Sequence, residues 1–317
     1  MKRWSYSVLW MCLIAMVLAV VGCKPGPSAG GDKPRIALVM KSLANEFFKT
    51  MEDGARAHNA AHPDLYTLSA QGIKNEQDVG KQIELVEMMI ARGVDAIVIA
   101  PADSKALIPV CKKAMKAGII VVNIDNKFDA EVLASEEVKI PFVGPDNRKG
   151  ARMAGEYLAA RLQPGDKVAV IEGIPGAFNG IQRKLGFEDA AEAAQLKIAG
   201  SQSGYWEMDK AEKVASGVLT EHPDLKAFMC ANDSMALGAV SALGTAGKAD
   251  SVLVIGFDNI SAVQQLLKAG KILCTVDQHG DRLAVFGIEY ALEMLEGGAP
   301  VDKETPVDLI TAETLGP

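Results

Sequence analysis

Two similar α/β lobes, each a doubly wound parallel sheet, are the fold this sequence predicts. Three observations carry the prediction. Short β-rich runs alternate with amphipathic segments from Arg35 onward, several of those runs are apolar without a break, and the alternation occurs in two successive series. The length of 317 residues also suits two domains, at about 100–200 residues each.

The first series has strands expected at Arg35–Met40, Tyr66–Gln71, Ala96–Pro101, Ile119–Asp125 and Pro141–Gly144. The second has them at Lys167–Gly173, Leu196–Gly204, Ala227–Asn232, Ser251–Asp258 and Ile272–Gln278. Among the intervening segments, Asn75–Arg92 reads as a helix, with Ile83, Val86, Met89 and Ile90 forming a mostly apolar stripe. The runs Ala96-Ile97-Val98-Ile99-Ala100 and Val252-Leu253-Val254-Ile255 are apolar on both faces of a strand. Such strands belong to parallel sheets covered by helices on either side, and the alternation of β and α elements then calls for right-handed crossovers. Ile124-Asp125-Asn126 and Phe257-Asp258-Asn259 both end a strand, a short echo between the two halves. Pro306–Thr311 reads as a last strand that crosses back between them.

The chain is 49% hydrophobic and 23% charged, with a mean hydropathy of +0.13, which excludes a disordered protein. A formal charge of −7 offers no basic face for nucleic acid. The N-terminus differs from the rest. Lys2 and Arg3 precede 14 uncharged residues, Val8 to Val21, too few to span the ~30 Å hydrocarbon core as a helix but right for a signal peptide. Val20-Val21-Gly22-Cys23 resembles a bacterial lipobox, with Val20 where leucine is usual, and identifies Cys23 as the lipidation site; an ordinary secretory signal is the alternative. The segment from Cys23 to Lys33 is rich in Pro, Gly and Ser and reads as a flexible tether. Removal of residues 1–22 takes the charges of Lys2 and Arg3 and moves the formal charge from −7 to −9. Cys111, Cys230 and Cys274 then remain, an odd number with no Cys-x-x-Cys pair. Buried free thiols are expected, with a Cys230–Cys274 bridge as the alternative.

In open α/β sheets a ligand binds beyond the carboxyl ends of the strands. The residues at those positions are Lys41, Asn45, Phe47 and Phe48, then Asp125 and Asn126, then Phe178, Asn179 and Arg183. Trp206, Asn232 with Asp233, Asp258 and Gln278 follow the later strands. Planar polar groups mixed with aromatic rings suit a carbohydrate, whose C–H faces stack on rings while its rim of hydroxyls both donates and accepts. Charged partners make such hydrogen bonds stronger, at about 1.5–3 kcal/mol each. Asp233 has a structural reading, as cap of a helix beginning at Ser234. Two adjacent phenylalanines on a helix point about 100° apart and cannot both bury on one narrow stripe.

The run Ile36–Phe48 resembles the opening of the periplasmic ribose- and allose-type sugar-binding proteins, as do Val122–Asp125, Ala231–Gly238 and Val254–Asp258. The resemblance extends from Arg35 to about Thr311. It implies two Rossmann-like lobes joined by a three-strand hinge with a ligand cleft between them. The implied lobes are 34–145 with 279–305, and 146–278 with 306–317. It further implies a monosaccharide, a pentose or hexose, held by Asn45, Phe47, Phe48, Asp125, Arg183, Trp206, Asn232, Asp258 and Gln278. Lys41 and Ala100 follow the allose type, and Asn126 departs from both, standing where the ribose type has arginine and the allose type glutamate. The expected protein is a monomeric, membrane-anchored lipoprotein of the periplasm or cell surface that delivers sugar to an ABC permease. A sensor that presents its liganded form to a membrane receptor or kinase is the alternative.

Other classes lack support. His58 and His62 have helical i,i+4 spacing but no third ligand motif and read as a solvated helix end. No Gly-x-Ser-x-Gly or Gly-rich phosphate loop occurs, so neither enzyme nor cofactor nor metal is expected. A lactose-repressor-like regulator would carry a helix-turn-helix where this chain has its signal and tether.

Overall fold

The computed structural model describes residues 33–315. The expected signal peptide, Cys23 and all of the tether except Lys33 lie outside the described residues, as do Gly316 and Pro317.

The first sheet has six parallel strands in the order β11-β5-β4-β3-β1-β2. They are β1 (Arg35–Ser42), β2 (Thr67–Ile73), β3 (Ala96–Ile99), β4 (Ile120–Ile124), β5 (Phe142–Pro145) and β11 (Lys303–Thr305). Side chains alternate across a strand with period two, and the alternation here feeds two cores. Ile36, Leu38 and Met40 of β1, with Val98 and Ile124, join one core together with residues of α1 (Glu46–Ala61) and α10 (Gly280–Leu295). Ala37, Val39, Ile97, Ile99 and Val121 join the other, with residues of α2 (Val79–Arg92) and α3 (Ile108–Lys116). All ten of those strand residues are at most 2% exposed, which is why the runs read as apolar without a break. Between β4 and β5 lies the short α4 (Ala130–Ser135).

The second sheet has four parallel strands in the order β7-β6-β8-β9: β6 (Lys167–Glu172), β7 (Lys197–Ser203), β8 (Ala227–Cys230) and β9 (Leu253–Ile255). Its helices are α5 (Asn147–Ala159), α6 (Phe178–Ala193), α7 (Met208–Glu221), α8 (Asp233–Thr245) and α9 (Ser261–Lys268). β10 (Thr275–Asp277) does not extend this sheet as a regular fifth strand. Just before it Cys274 bridges Ile255 of β9, the Asp258 N–H donates to the Val276 carbonyl at 2.8 Å, and β10 itself pairs antiparallel with β12 (Asp308–Ile310). β9 ends at Ile255; at Gly256 the Asp233 carboxylate fills the space a Cβ would need, and the chain then turns through Asp258 at φ 125°. The chain passes from the first sheet to the second after β5, back after β10, and across again between β11 and β12.

Three details differ from the sequence reading. β11 was not foreseen, because Lys303-Glu304-Thr305 is a polar edge strand without an apolar run. α2 starts at Val79 rather than Asn75, because the Asp78 carboxylate accepts the Lys81 backbone N–H at 3.0 Å and caps it there. His58 is not solvated: its Nδ1 lies 2.8 Å from the Tyr66 hydroxyl, and its side chain is only 15% exposed.

Cys111, Cys230 and Cys274 are free and buried. Burial pushes the Cys111 thiol up to about 12 and raises those of Cys230 and Cys274 as well. The thiolate is the reactive form, so all three should resist a thiol reagent at neutral pH and react fully in denaturant. Peptide mapping after labelling checks this, and recovery of a Cys230–Cys274 disulfide would contradict it.

Candidate functional site

The carboxyl ends of strands from the two sheets converge on one small cavity. The first sheet contributes Lys41 at the end of β1, Asn45, Phe47 and Phe48 at the start of α1, Glu76 from the β2–α2 loop, and Asp125 after β4. The second contributes Asn179 and Arg183 from α6, Trp206 after β7, Asn232 before α8 and Asp258 after β9, and Gln278 follows β10. Ten of the eleven candidates read from the sequence therefore line one cavity. A larger surface groove between α5 and α6 is open to solvent, and its Arg148 and Asp189 already satisfy each other with two 2.7 Å bonds.

The exception is Asn126. It is buried but does not line the cavity. Its Nδ2 donates to the Pro101 carbonyl at 3.0 Å, and its Oδ1 accepts from Ser104 Oγ at 3.2 Å and the Asn179 backbone N–H at 3.3 Å. Asp233 is also placed differently from its expected role. Asn232 is the residue that caps α8, accepting from Met235 N at 2.9 Å. Asp233 lies inside the helix, fully buried, accepting from Thr275 Oγ1 at 2.7 Å and Ile260 N at 3.0 Å. Sequence reasoning missed Glu76 because it fell within the helix expected over Asn75–Arg92, whereas α2 starts at Val79 and Glu76 stands in the loop that follows β2. Asn179, which the sequence places beyond a strand end, lines the cavity as well.

The rings are held by close packing. Phe47 and Phe48 are both buried, at 3% and 2% exposure, because the start of α1 is wedged between core and cavity. They meet edge to face at 5.1 Å. A Cβ at Gly280 would lie 2.7 Å from the Phe47 ring, and one at Gly173 would collide with Trp206. Glycine at those two positions is what lets the rings sit where they do.

Two cations and three carboxylates are buried here. Lys41 Nζ lies 3.1 Å from Asp125 Oδ2 and 3.9 Å from Glu76 Oε2, and 5.1 Å above the Phe48 ring. Arg183 donates through Nε to Asn147 Oδ1 and through Nη1 to the Ala231 carbonyl, both at 2.8 Å. The same Nη1 is 3.4 Å from Asp258 Oδ1, and the guanidinium carbon stacks 3.7 Å from the Phe257 ring centroid. Gln278 Nε2 donates to Asp258 Oδ1 at 2.7 Å, and Asn45 Nδ2 donates to Glu76 Oε1 at 3.1 Å.

This network is incomplete. Glu76 Oε2, Asp125 Oδ2, Trp206 Nε1 and Gln278 Oε1 are buried without an aligned hydrogen bond. An unsatisfied buried polar group costs about 1–3 kcal/mol, and more when charged, so three such atoms beside an Asp125 oxygen held only by its ion pair describe a site that something else completes. The backbone points the same way. Asp125, Tyr205, Trp206, Asp258, Asn259 and His279 all have positive φ, and all lie just beyond the ends of β4, β7, β9 and β10. Strained backbone of this kind costs of order 1–3 kcal/mol per residue and clusters at ligand clamps.

Burial raises the carboxyls of Glu76 and Asp258 above their usual range, with Lys41 and Arg183 only partly opposing it, and it lowers the Arg183 guanidinium. Asp233 is pushed up to about 7, again by burial. The folded protein therefore holds protons that the unfolded chain releases at about pH 3.9, so Asp233 makes the unliganded fold lose stability as pH rises from about 4 to 7. Replacing it with asparagine, Asp233→Asn, should flatten the stability-versus-pH slope across that window. Urea melts at a series of pH values measure this, and an unchanged slope would contradict the assignment.

With this geometry, comparison with known proteins is direct. A periplasmic binding protein domain matches residues 36–299. The D-ribose/D-allose-binding protein of Pseudomonas aeruginosa is 58% identical over 286 residues, spanning 89% of this chain and 90% of that protein. The D-allose-binding periplasmic protein of Escherichia coli is 33% identical, spanning 86% and 89% respectively. A crystal structure of an ABC transporter periplasmic solute binding protein from Actinobacillus succinogenes with bound D-allose superposes with a TM-score of 0.85 at 38% identity, covering 89% of this chain and 99% of that one. The chain belongs to the periplasmic binding protein domain family.

Proposed function

We propose that this protein captures a neutral monosaccharide, of the ribose or allose kind, in the cavity between its lobes and hands it to an ABC permease. The observation that carries the reading is the set of four polar atoms without a hydrogen bond, Asp125 Oδ2 among them with only its ion pair to Lys41, around a small cavity walled by Phe47, Phe48 and Trp206. A sugar has hydroxyls that donate to Glu76 Oε2, Asp125 Oδ2 and Gln278 Oε1 and that accept from Trp206 Nε1, while its C–H faces lie against the rings. A phosphorylated or acidic sugar would add negative charge to three carboxylates and is disfavoured.

The binding residues under this reading are Lys41, Asn45, Phe47, Phe48, Asp125, Arg183, Trp206, Asn232, Asp258 and Gln278, with Glu76 and Asn179 added. The lobes are residues 34–145 with 279–305 and residues 146–278 with 306–317, and they close about the three crossings after β5, after β10 and before β12. Lipidation at Cys23 holds the protein at the outer face of a membrane, beside the permease. The ribose and allose named for the relatives support the sugar class.

A thermal-shift screen against pentoses, hexoses and polyols tests the reading, since a ligand at 100 times its Kd stabilises the fold by about 2.7 kcal/mol. If no sugar raises the melting temperature while another metabolite does, the reading fails. Arg183→Ala and Asp258→Ala should each weaken sugar binding by roughly 30-fold to several thousand-fold, the equivalent of about 2–5 kcal/mol for truncating one partner of a buried charged pair. Calorimetry on the two variants measures it, and affinities within about threefold of the parent would show that both residues serve structure alone. Trp4 and Trp10 leave with the signal peptide, so Trp206 is the sole tryptophan of the processed chain. Its emission should change when sugar binds, and an unchanged spectrum at saturation would contradict its place in the wall.

A further inference from the structure

Two helices of the second lobe are capped by side chains of the first. α6 and α9 follow Ala177 and Ile260, whose side chains carry no acceptor, and neither helix has a side-chain cap of its own. By contrast α1, α2, α4, α5 and α8 each start after an Asn or Asp that accepts a first-turn N–H. The missing acceptors come from across the cleft. At α6, the Phe178 N–H donates to Ser104 Oγ at 3.1 Å and the Asn179 N–H to Asn126 Oδ1 at 3.3 Å, with Ser104 Oγ donating to that same amide oxygen at 3.2 Å. At α9, the Ser261 N–H donates to Glu46 Oε1 at 2.8 Å, and the Ser261 hydroxyl donates to the same oxygen.

The first turn of a helix leaves N–H groups that need an acceptor, and a carboxylate there also meets the positive end of the helix dipole. Glu46 serves two dipoles at once, since it also lies in the first turn of α1. None of Glu46, Ser104 and Asn126 lines the sugar cavity. Opening the lobes would separate each of these pairs and return the N–H groups to water.

We propose that Glu46, Ser104 and Asn126 form a closure latch: they set how much of the protein is closed by capping α6 and α9 across the cleft, and so set affinity without touching the ligand. This rests on the lobe-closing function proposed above. It also gives Asn126 its role, as an interlobe cap in place of the arginine or glutamate of the resembled families. Binding to a state populated at a fraction f multiplies the apparent Kd by 1/f, whatever the ligand. Loss of a latch residue therefore weakens every sugar by one common factor, whereas loss of a ligand contact weakens different sugars unequally.

The test uses Glu46→Ala, Ser104→Ala and the double variant, titrated with D-ribose and D-allose. Each single variant should weaken both sugars equally, by about two- to thirtyfold, the size of a lost helix cap, and the double variant should lose more than either. Glu46→Gln, which keeps an acceptor oxygen, should recover part of the loss. Unchanged affinities, or losses that differ between the two sugars, overturn the latch while leaving sugar binding intact. If the parent binds neither sugar, the functional reading fails, and the latch is then judged by small-angle scattering of the unliganded proteins. A larger radius of gyration in the double variant supports it and an equal radius overturns it.

Discussion

Lys41, Glu76, Asp125, Arg183 and Asp258 are all buried around one cavity, and the cost of keeping charges there governs the rest of the structure. Taking a charge out of water costs several kcal/mol even after relaxation, and pairing recovers this only with good geometry and full hydrogen bonding. The pairing here is partial. Lys41 is shared between two carboxylates and Arg183 stands 3.4 Å from its own, while Glu76, Asp125 and Gln278 each keep an oxygen without a hydrogen bond. A closed, empty cavity of this kind is energetically poor, and a closed cavity filled with hydroxyls is not. That difference is what a ligand-dependent closure needs, because a ligand shifts an equilibrium only by its differential affinity for the two states.

The fold supplies the means. Each sheet aims the carboxyl ends of its strands at the cleft, so side chains from eight connections meet without any single segment carrying the site. Positive φ at Asp125, Trp206 and Asp258 turns those side chains inward, and the stiff cores on both faces of each sheet hold the strain. Rings packed against Gly173 and Gly280 fix the cavity's width. The interlobe caps add a second contribution to closure that is independent of the ligand, so that affinity and selectivity are set by different residues.

Much of this was legible in the sequence, for identifiable reasons. Unbroken apolar runs such as Ala96–Ala100 reveal parallel strands because both faces are covered, and a residue just beyond such a run is already placed at the cleft. That logic found Lys41, Asp125, Trp206 and Asp258. It could not find Glu76, which reaches the cavity from the middle of a polar loop, nor show that Asn126 turns away toward α6. It read Asp233 as a cap because Asx residues at strand ends usually are, while the neighbouring Asn232 does the capping and Asp233 is drawn inward by Thr275 and Ile260. Strand β11 escaped because an edge strand of three polar-flanked residues has no periodicity to show. Position along the chain is thus readable from pattern, whereas the direction of a side chain past a strand end depends on neighbours brought in from elsewhere.

The central claim is that a sugar's hydroxyls complete the polar groups this cavity leaves unpaired. A crystal structure of the protein grown with D-allose or D-ribose tests it most directly. The account predicts one sugar in the cavity, with its oxygens within hydrogen-bond distance, about 2.5–3.2 Å, of Glu76 Oε2, Asp125 Oδ2, Trp206 Nε1 and Gln278 Oε1. A sugar bound elsewhere, or one in the cavity that leaves those four atoms to water, would contradict it.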